Sequence, residues 1–207
     1  MKIALFGGTG RVGKEIVRLA LQDGHEVRML VRHIPKDETF QHSNCEWIQG
    51  DVRKEEDVFK TVEGADAIVS ALGTDRTTTL TEAVPHFIKA MDHYGIQRIV
   101  TIGTAGILQS RIDPTQLRYE AGDTNRKLTF AAEEHHAFYD RLRKDGKEWT
   151  IVCPTYLPDG EARGTYRVLR NYLPLDAKMI TVGDTAAFAY EELTNRMYLQ
   201  SRVGMAY

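Results

Sequence analysis

Seven residues near the start, Gly7-Gly8-Thr9-Gly10-Arg11-Val12-Gly13, constrain this chain more than any others. They hold G-x-G-x-x-G and G-x-x-G-x-x-G in overlapping register. An apolar run, Lys2–Phe6, precedes them, and an amphipathic stretch follows in which Val12, Ile16, Leu19 and Ala20 share one helical face. Glycine permits a tight turn and close backbone approach, and a helix opening there offers unbonded N–H groups and a partial positive charge. Strand, glycine turn and helix in that order make a cradle for a pyrophosphate. The context disfavours the plainer reading, a strand-to-helix turn without a ligand. The stretch from Gly8 to Lys14 also fits G-x-x-x-x-G-K, but Glu15 stands where a triphosphate loop needs a hydroxyl for magnesium. A carboxylate there would sit against the phosphates, so that reading is rejected.

The remaining chain alternates short apolar runs with amphipathic stretches. Val27–Val31, Glu46–Gln49, Ala67–Leu72, Ile99–Ile102 and Trp149–Cys153 read as strands, several apolar on both faces as in a parallel sheet covered on two sides. Leu80, Val84, Phe87, Ile88 and Met91 mark one helix before Gly95, and Ala131, His135, Phe138 and Leu142 another before Gly146; Gly24 stops the first. A last helix is expected at Asp184–Leu199, with Ala189, Leu193 and Met197 inward. The pattern predicts one Rossmann-like, doubly wound α/β domain over 1–207 with a mainly parallel sheet. Two long, charged, weakly periodic loops, Gly106–Asn125 and Thr155–Lys178, each follow a strand and are expected above the carboxyl edge, where such sheets bind ligands.

Composition narrows the function. Twenty-seven Lys and Arg against 29 Asp and Glu leave no basic excess for nucleic acid or an anionic membrane. No apolar run reaches the roughly 18 residues of a membrane span, and the N-terminal stretch is too short and glycine-rich for a signal peptide. Cys45 and Cys153 match no disulfide framework or metal spacing, so a reducing, cytoplasmic setting is expected. His135-His136 point about 100° apart on a helix and make no metal pair; His135 is read as a packed or pocket-lining residue. Glu133-Glu134 reads as a solvated face. Arg163, Arg167 and Arg170 form a local basic cluster or merely scattered surface charges, and Tyr119, Tyr156 and Tyr166 are placed to stack on a planar molecule.

Dinucleotide sites that prefer NAD carry an acid about 20 positions beyond the glycines to accept from the ribose 2′-OH. Here Val31-Arg32-His33-Ile34-Pro35-Lys36 ends the second strand, and Arg32 replaces the acid. A guanidinium suits a 2′-phosphate. NADP(H) is therefore expected over NAD(H), with Arg11 in the turn as a helper; the alternative is that Arg32 is simply a solvated surface residue.

Gly7–Gly13, Leu30-Val31-Arg32, Gly50-Asp51-Val52, Ala71-Leu72-Gly73-Thr74 and Trp149–Pro154, in that order, resemble the successive signatures of atypical short-chain dehydrogenase/reductases. The similarity is to the compact NAD(P)H-binding, NmrA-like subgroup that includes flavin reductases, and it covers nearly the whole chain. The resemblance implies that Asp51 takes the adenine amino group and the Val52 backbone caps the ring. It implies that Ala71, Leu72 and Gly73 line the riboses, and that Pro154 and Thr155 approach the nicotinamide carboxamide. Thr104 falls where the family has a catalytic or substrate-facing hydroxyl; it is equally read as a β-region filler.

One departure matters. The Tyr-x-x-x-Lys pair of extended superfamily members would fall on Glu133 and Ala137, and neither supplies that chemistry. Tyr139 and Arg143 have the spacing in the wrong register, and Arg is no proton donor. Carbonyl reduction and epimerisation are thus disfavoured. Hydride transfer to a flavin or quinone needs no such pair, because the acceptor's electronics drive it. Two functions fit: an NADPH-dependent reductase of a planar acceptor, or a non-catalytic NADP(H)-binding redox sensor with a protein partner. A monomer or weak homo-oligomer is expected, with no metal.

Overall fold

Residues of the central strands are buried on both sides, alternately in one of two cores. In β1 (Lys2–Phe6), Ile3 and Leu5 point to one core while Ala4 and Phe6 point to the other. The computed structural model, which describes residues 1–34, 36–124 and 128–207, continues this alternation through β2 (Glu26–Val31), β4 (Ala67–Ser70), β5 (Arg98–Ile102) and β6 (Glu148–Pro154). β3 (Cys45–Gln49), β7 (Arg167–Arg170) and β8 (Ser201–Ala206) complete an eight-stranded sheet in the order β3-β2-β1-β4-β5-β6-β8-β7. Every pairing is parallel except β7 with β8. The order reverses between β1 and β4, which opens a crevice at their carboxyl ends.

Helices cover both faces, as parallel pairing with crossovers requires. α1 (Arg11–Gln22) and α5 (Val182–Asn195) pack side by side over one core, where Ile16, Val17, Ala186 and Ala189 meet Leu5 and Val100. α2 (Glu55–Val62), α3 (Thr79–Tyr94) and α4 (Phe130–Leu142) cover the other, where the Phe87 and Phe6 rings meet tilted by 47° with centroids 4.5 Å apart. Gly95, at φ +71°, ends α3 in the left-handed conformation that costs an L side chain energy.

The fold expected from the sequence is present, with corrections at its edges. α2 was not anticipated, although three acids open it and Val58 and Val62 face inward. β7 lies inside a segment expected to be loop, and β8 follows a helix that ends sooner than expected. Arg196 adopts φ +51° and stops α5 at Asn195, so Met197 is 68% exposed rather than inward. Glu134 is buried, not solvated: α4 turns it toward α3, where it accepts from Thr81 N (3.2 Å) and Oγ1 (2.8 Å). Pro35 and Asn125, each part of a stretch singled out above, lie outside the described residues.

A buried ion pair ties β5 to α5. Arg98 is 2% exposed and donates to the carbonyls of Glu192 (2.5 Å) and Glu148 (2.8 Å), with the Glu192 carboxylate 3.6 Å away. Removing one partner strands a buried charge, so Arg98→Ala should lower stability by about 3–5 kcal/mol, read as a lower urea midpoint. Gly13 has no such freedom either: a Cβ there would stand 2.2 Å from the Gly7 carbonyl oxygen. Gly13→Ala should cost about 1–3 kcal/mol by overpacking, measured by the same titration.

Candidate active site

The glycine turn brings three elements into contact. Gly7 sits at φ +81°, and a Cβ there would lie 2.5 Å from the Ala71 carbonyl oxygen at the end of β4. Gly10 N donates to Gly7 O (3.0 Å), and the first helical bond runs from Lys14 N to Gly10 O (2.8 Å). No side chain caps α1 and no acid lies in its first turn. The amides of Arg11, Val12 and Gly13 are therefore presented at an uncapped helix end, the arrangement that receives a phosphate.

A cleft of about 380 Å³ opens beside this turn. Gly7, Thr9 and Gly10 form one wall, Arg32 the end of β2, and Asp51, Val52 and Arg53 the loop after β3. Ala71, Leu72, Gly73 and Asp75 close it from the end of β4. Val12 and Gly13 lie behind the turn, buried in α1. Charges along the rim are paired. Asp51 accepts from Arg53 Nη2 (2.6 Å) and Nε (3.0 and 3.1 Å), and this guanidinium holds its carboxyl down to about 2. Arg32 donates to Asp75 (3.2 Å), and both side chains are exposed. Lys14 bonds Asp37 (2.5 Å), lowering that carboxyl to about 2.

A second cleft, of about 510 Å³, lies above β5 and β6. Thr104, Pro154 and Thr155 line its floor; Tyr119, Ala132, Tyr156, Leu173 and Lys178 contribute its walls. The two expected loops thus do stand over the carboxyl edge. Thr104 begins a single 3-10 turn and accepts from Gly106 N at 3.5 Å, which leaves its own hydroxyl proton uncommitted among the described residues.

The second loop is held by groups that the sequence did not single out. Asp184, buried at the start of α5, accepts from the amides of Arg163 and Gly164 (2.9 Å each) and from Tyr207 Oη. Arg11 does not line the smaller cleft beside the turn. It reaches across to Leu157 O (3.0 Å) and Asp159 (2.8 Å), and clasps the loop to the glycine turn. The arginine cluster is dispersed: Arg163 lies over the Tyr207 ring, Arg167 donates to Tyr207 O, and Arg170 donates to Met197 O. Tyr166 packs against Phe188 on α5, whereas Tyr156 stands exposed at the cleft.

Tyr119 Oη lies 2.8 Å from His136 Nδ1, and burial pushes this phenol up to about 12. His135 is half-buried on α4 and lines neither cleft; burial lowers its imidazole to about 4. Glu133 and Ala137, in place of the Tyr–Lys pair, are exposed on α4. Asp75, Arg53 and Lys178 fall in no periodic pattern or motif, and only the folded chain brings them to the clefts.

Comparison with known proteins bears on this architecture. A model of the NAD(P)H-binding family matches residues 7–196. YwnB of Bacillus subtilis strain 168 is 26% identical over 210 residues, covering 98% of this chain and 96% of its own length. The photosystem II assembly factor Ycf39 of Synechocystis is 31% identical over 106 residues, 48% of this chain; the match spans about a third (32%) of Ycf39. Among solved structures, SP1627 of Streptococcus pneumoniae TIGR4, provisionally named an NADH-flavin reductase, superposes with a TM-score of 0.82 at 25% identity, covering 100% of this chain and 99% of that one. With its glycine turn, its crevice and nearly its whole length inside the family model, the chain belongs to the NAD(P)H-binding family, whose members are oxidoreductase-like.

Proposed function

We propose that this protein is an NADPH-dependent reductase that passes hydride to a planar acceptor such as a flavin or quinone. The observation that carries the reading is the pair of clefts at the carboxyl ends of the strands, one beside the uncapped glycine turn and the other above β5 and β6. On this reading the adenosine half lies in the smaller cleft, with Arg32 at the 2′-phosphate, Asp51 and Val52 at the adenine, and Ala71, Leu72 and Gly73 at the riboses. The diphosphate takes the amides of Arg11, Val12 and Gly13, flanked by Thr9. Pro154 and Thr155 hold the carboxamide end, so the reactive ring faces the larger cleft. The cradle fits such a group: without side chains at Gly7 and Gly13 the turn closes against Ala71 and the Gly7 carbonyl, which seats the uncapped end of α1, with its free amides, at the crevice.

Bound there, the nicotinamide supplies the hydride. The protein orients the two rings, and Thr104 Oγ1 donates its uncommitted proton toward an acceptor carbonyl or ring nitrogen as charge develops there. Lys178 adds a positive charge at the same cleft. The provisional name of SP1627 supports a flavin acceptor. The exposed Glu133 and Ala137 favour a second reading, a non-catalytic NADP(H)-binding redox sensor.

Calorimetric titration tests the cofactor. Wild type should bind NADPH more tightly than NADH, and Arg32→Ala should weaken NADPH by about 1.5–3 kcal/mol, the worth of a hydrogen bond to a charged group, while sparing NADH. A wild type that prefers NADH refutes the claim. Thr104→Val should lower turnover by roughly one to three orders of magnitude with NADPH affinity nearly unchanged; full activity would make Thr104 a packing residue. Finally, NADPH oxidation should proceed with at least one of a panel of flavins, quinones and dichlorophenolindophenol. Tight cofactor binding with no turnover on any of them favours the sensor.

A further inference from the structure

The nucleotide cleft carries both signs of charge at the place where NAD and NADP differ. The end of β2, where an acid would accept from the ribose 2′-OH, holds Arg32 instead. Yet a carboxylate enters the same cleft from the other side. Asp75, five residues beyond the end of β4, lines it with its Oδ2 3.2 Å from Arg32 Nη2.

Backbone geometry puts it there. Asp75 and Arg76 adopt φ +47° and +57°, two successive left-handed residues that are not glycine. The turn is closed by Thr77, whose N (2.7 Å) and Oγ1 (3.0 Å) both donate to Thr74 O. The ion pair it creates is an open one. The Arg32 and Asp75 side chains are 72% and 60% exposed, so solvent screens the pair and either group is free to exchange its partner for a ligand.

We propose that Asp75 sets the cofactor choice of this site. Its carboxylate accepts from the ribose 2′-OH of NADH, the role that β2 does not fill. It also competes with the 2′-phosphate of NADPH for Arg32 and repels that dianion. Arg32 tilts the cleft toward NADPH; Asp75 holds the tilt down and keeps NADH a usable ligand. The inference rests on the nicotinamide-cofactor reading above.

Titration of NADPH and NADH into wild type, Asp75→Asn and Asp75→Ala decides it, at low salt and again at about 0.5 M salt, where charges this exposed are screened. Both variants should bind NADPH roughly three- to tenfold more tightly at low salt and NADH roughly two- to fivefold more weakly, and the NADPH gain should shrink at high salt. Relative to Arg32→Ala, the NADPH gain in Arg32→Ala/Asp75→Asn should shrink to what relief of direct repulsion leaves, since no guanidinium remains to release. An unchanged NADPH-to-NADH ratio overturns the proposal. So does a loss of both nucleotides together, which marks Asp75 as a purely structural part of the turn. A wild type that binds neither nucleotide instead defeats the cofactor reading itself.

Discussion

A Cβ at Gly13 would stand only 2.2 Å from the Gly7 carbonyl oxygen, and the site is built outward from this contact. With hydrogen in place of a side chain, the first turn of α1 seats directly against the end of β1, and its amides come to the sheet's switch point. Gly7 performs the same service toward Ala71, so β1, β4 and α1 meet at one place. Any side chain at Gly13 would have to push the helix off the sheet. The crevice, its depth and the direction in which a ligand crosses it follow from that contact.

Around this turn the electrostatics are arranged in pairs. Arg11 faces Asp159, Lys14 faces Asp37, Arg32 faces Asp75 and Arg53 faces Asp51. An edge that is to receive a polyanion is thus nearly neutral beforehand, and most of these side chains are exposed. Pairs of this sort contribute little to stability. They order the guanidinium groups, so a polyanion arriving at the turn would meet paired charges rather than a bare positive surface.

What the sequence made legible was whatever period and glycine write into it. The two-sided burial of β1, β4, β5 and β6 shows as continuous apolar runs, and Gly24, Gly95 and Gly146 end or follow helices with positive φ as anticipated. The glycine turn and Arg32 were readable because each stands at a fixed offset from a strand end. Other features had no local signature. β8, Ser-Arg-Val-Gly-Met-Ala, is buried at every position though it contains Ser201 and Arg202, because Arg202 finds Ile107 O, Gln109 and the Tyr139 ring. β7 exists only through pairing with β8. Glu134 reads as a surface acid and Asp184 only as the start of a helix until the folded chain supplies donors 53 residues and 20–23 residues away in sequence. Asp75 depends on a left-handed turn that Asp, Arg and Thr do not advertise.

The position of β8 divides the molecule by how its halves come together. β1 to β4 line the smaller cleft from the first 80 residues or so, although β1 reaches across to β4 and α1 packs on α5. The larger cleft is different. β8 inserts between β6 and β7, Arg202 props the loop after β5, and Tyr207 bonds Thr181 and Asp184 beneath the loop after β6. Its walls thus have high contact order, and loop-closure entropy must be met before they gain anything. The six residues of β8 thus hold up the larger cleft from beneath, although none of them lines it, and the chain's last strand decides the shape of a site that earlier residues surround.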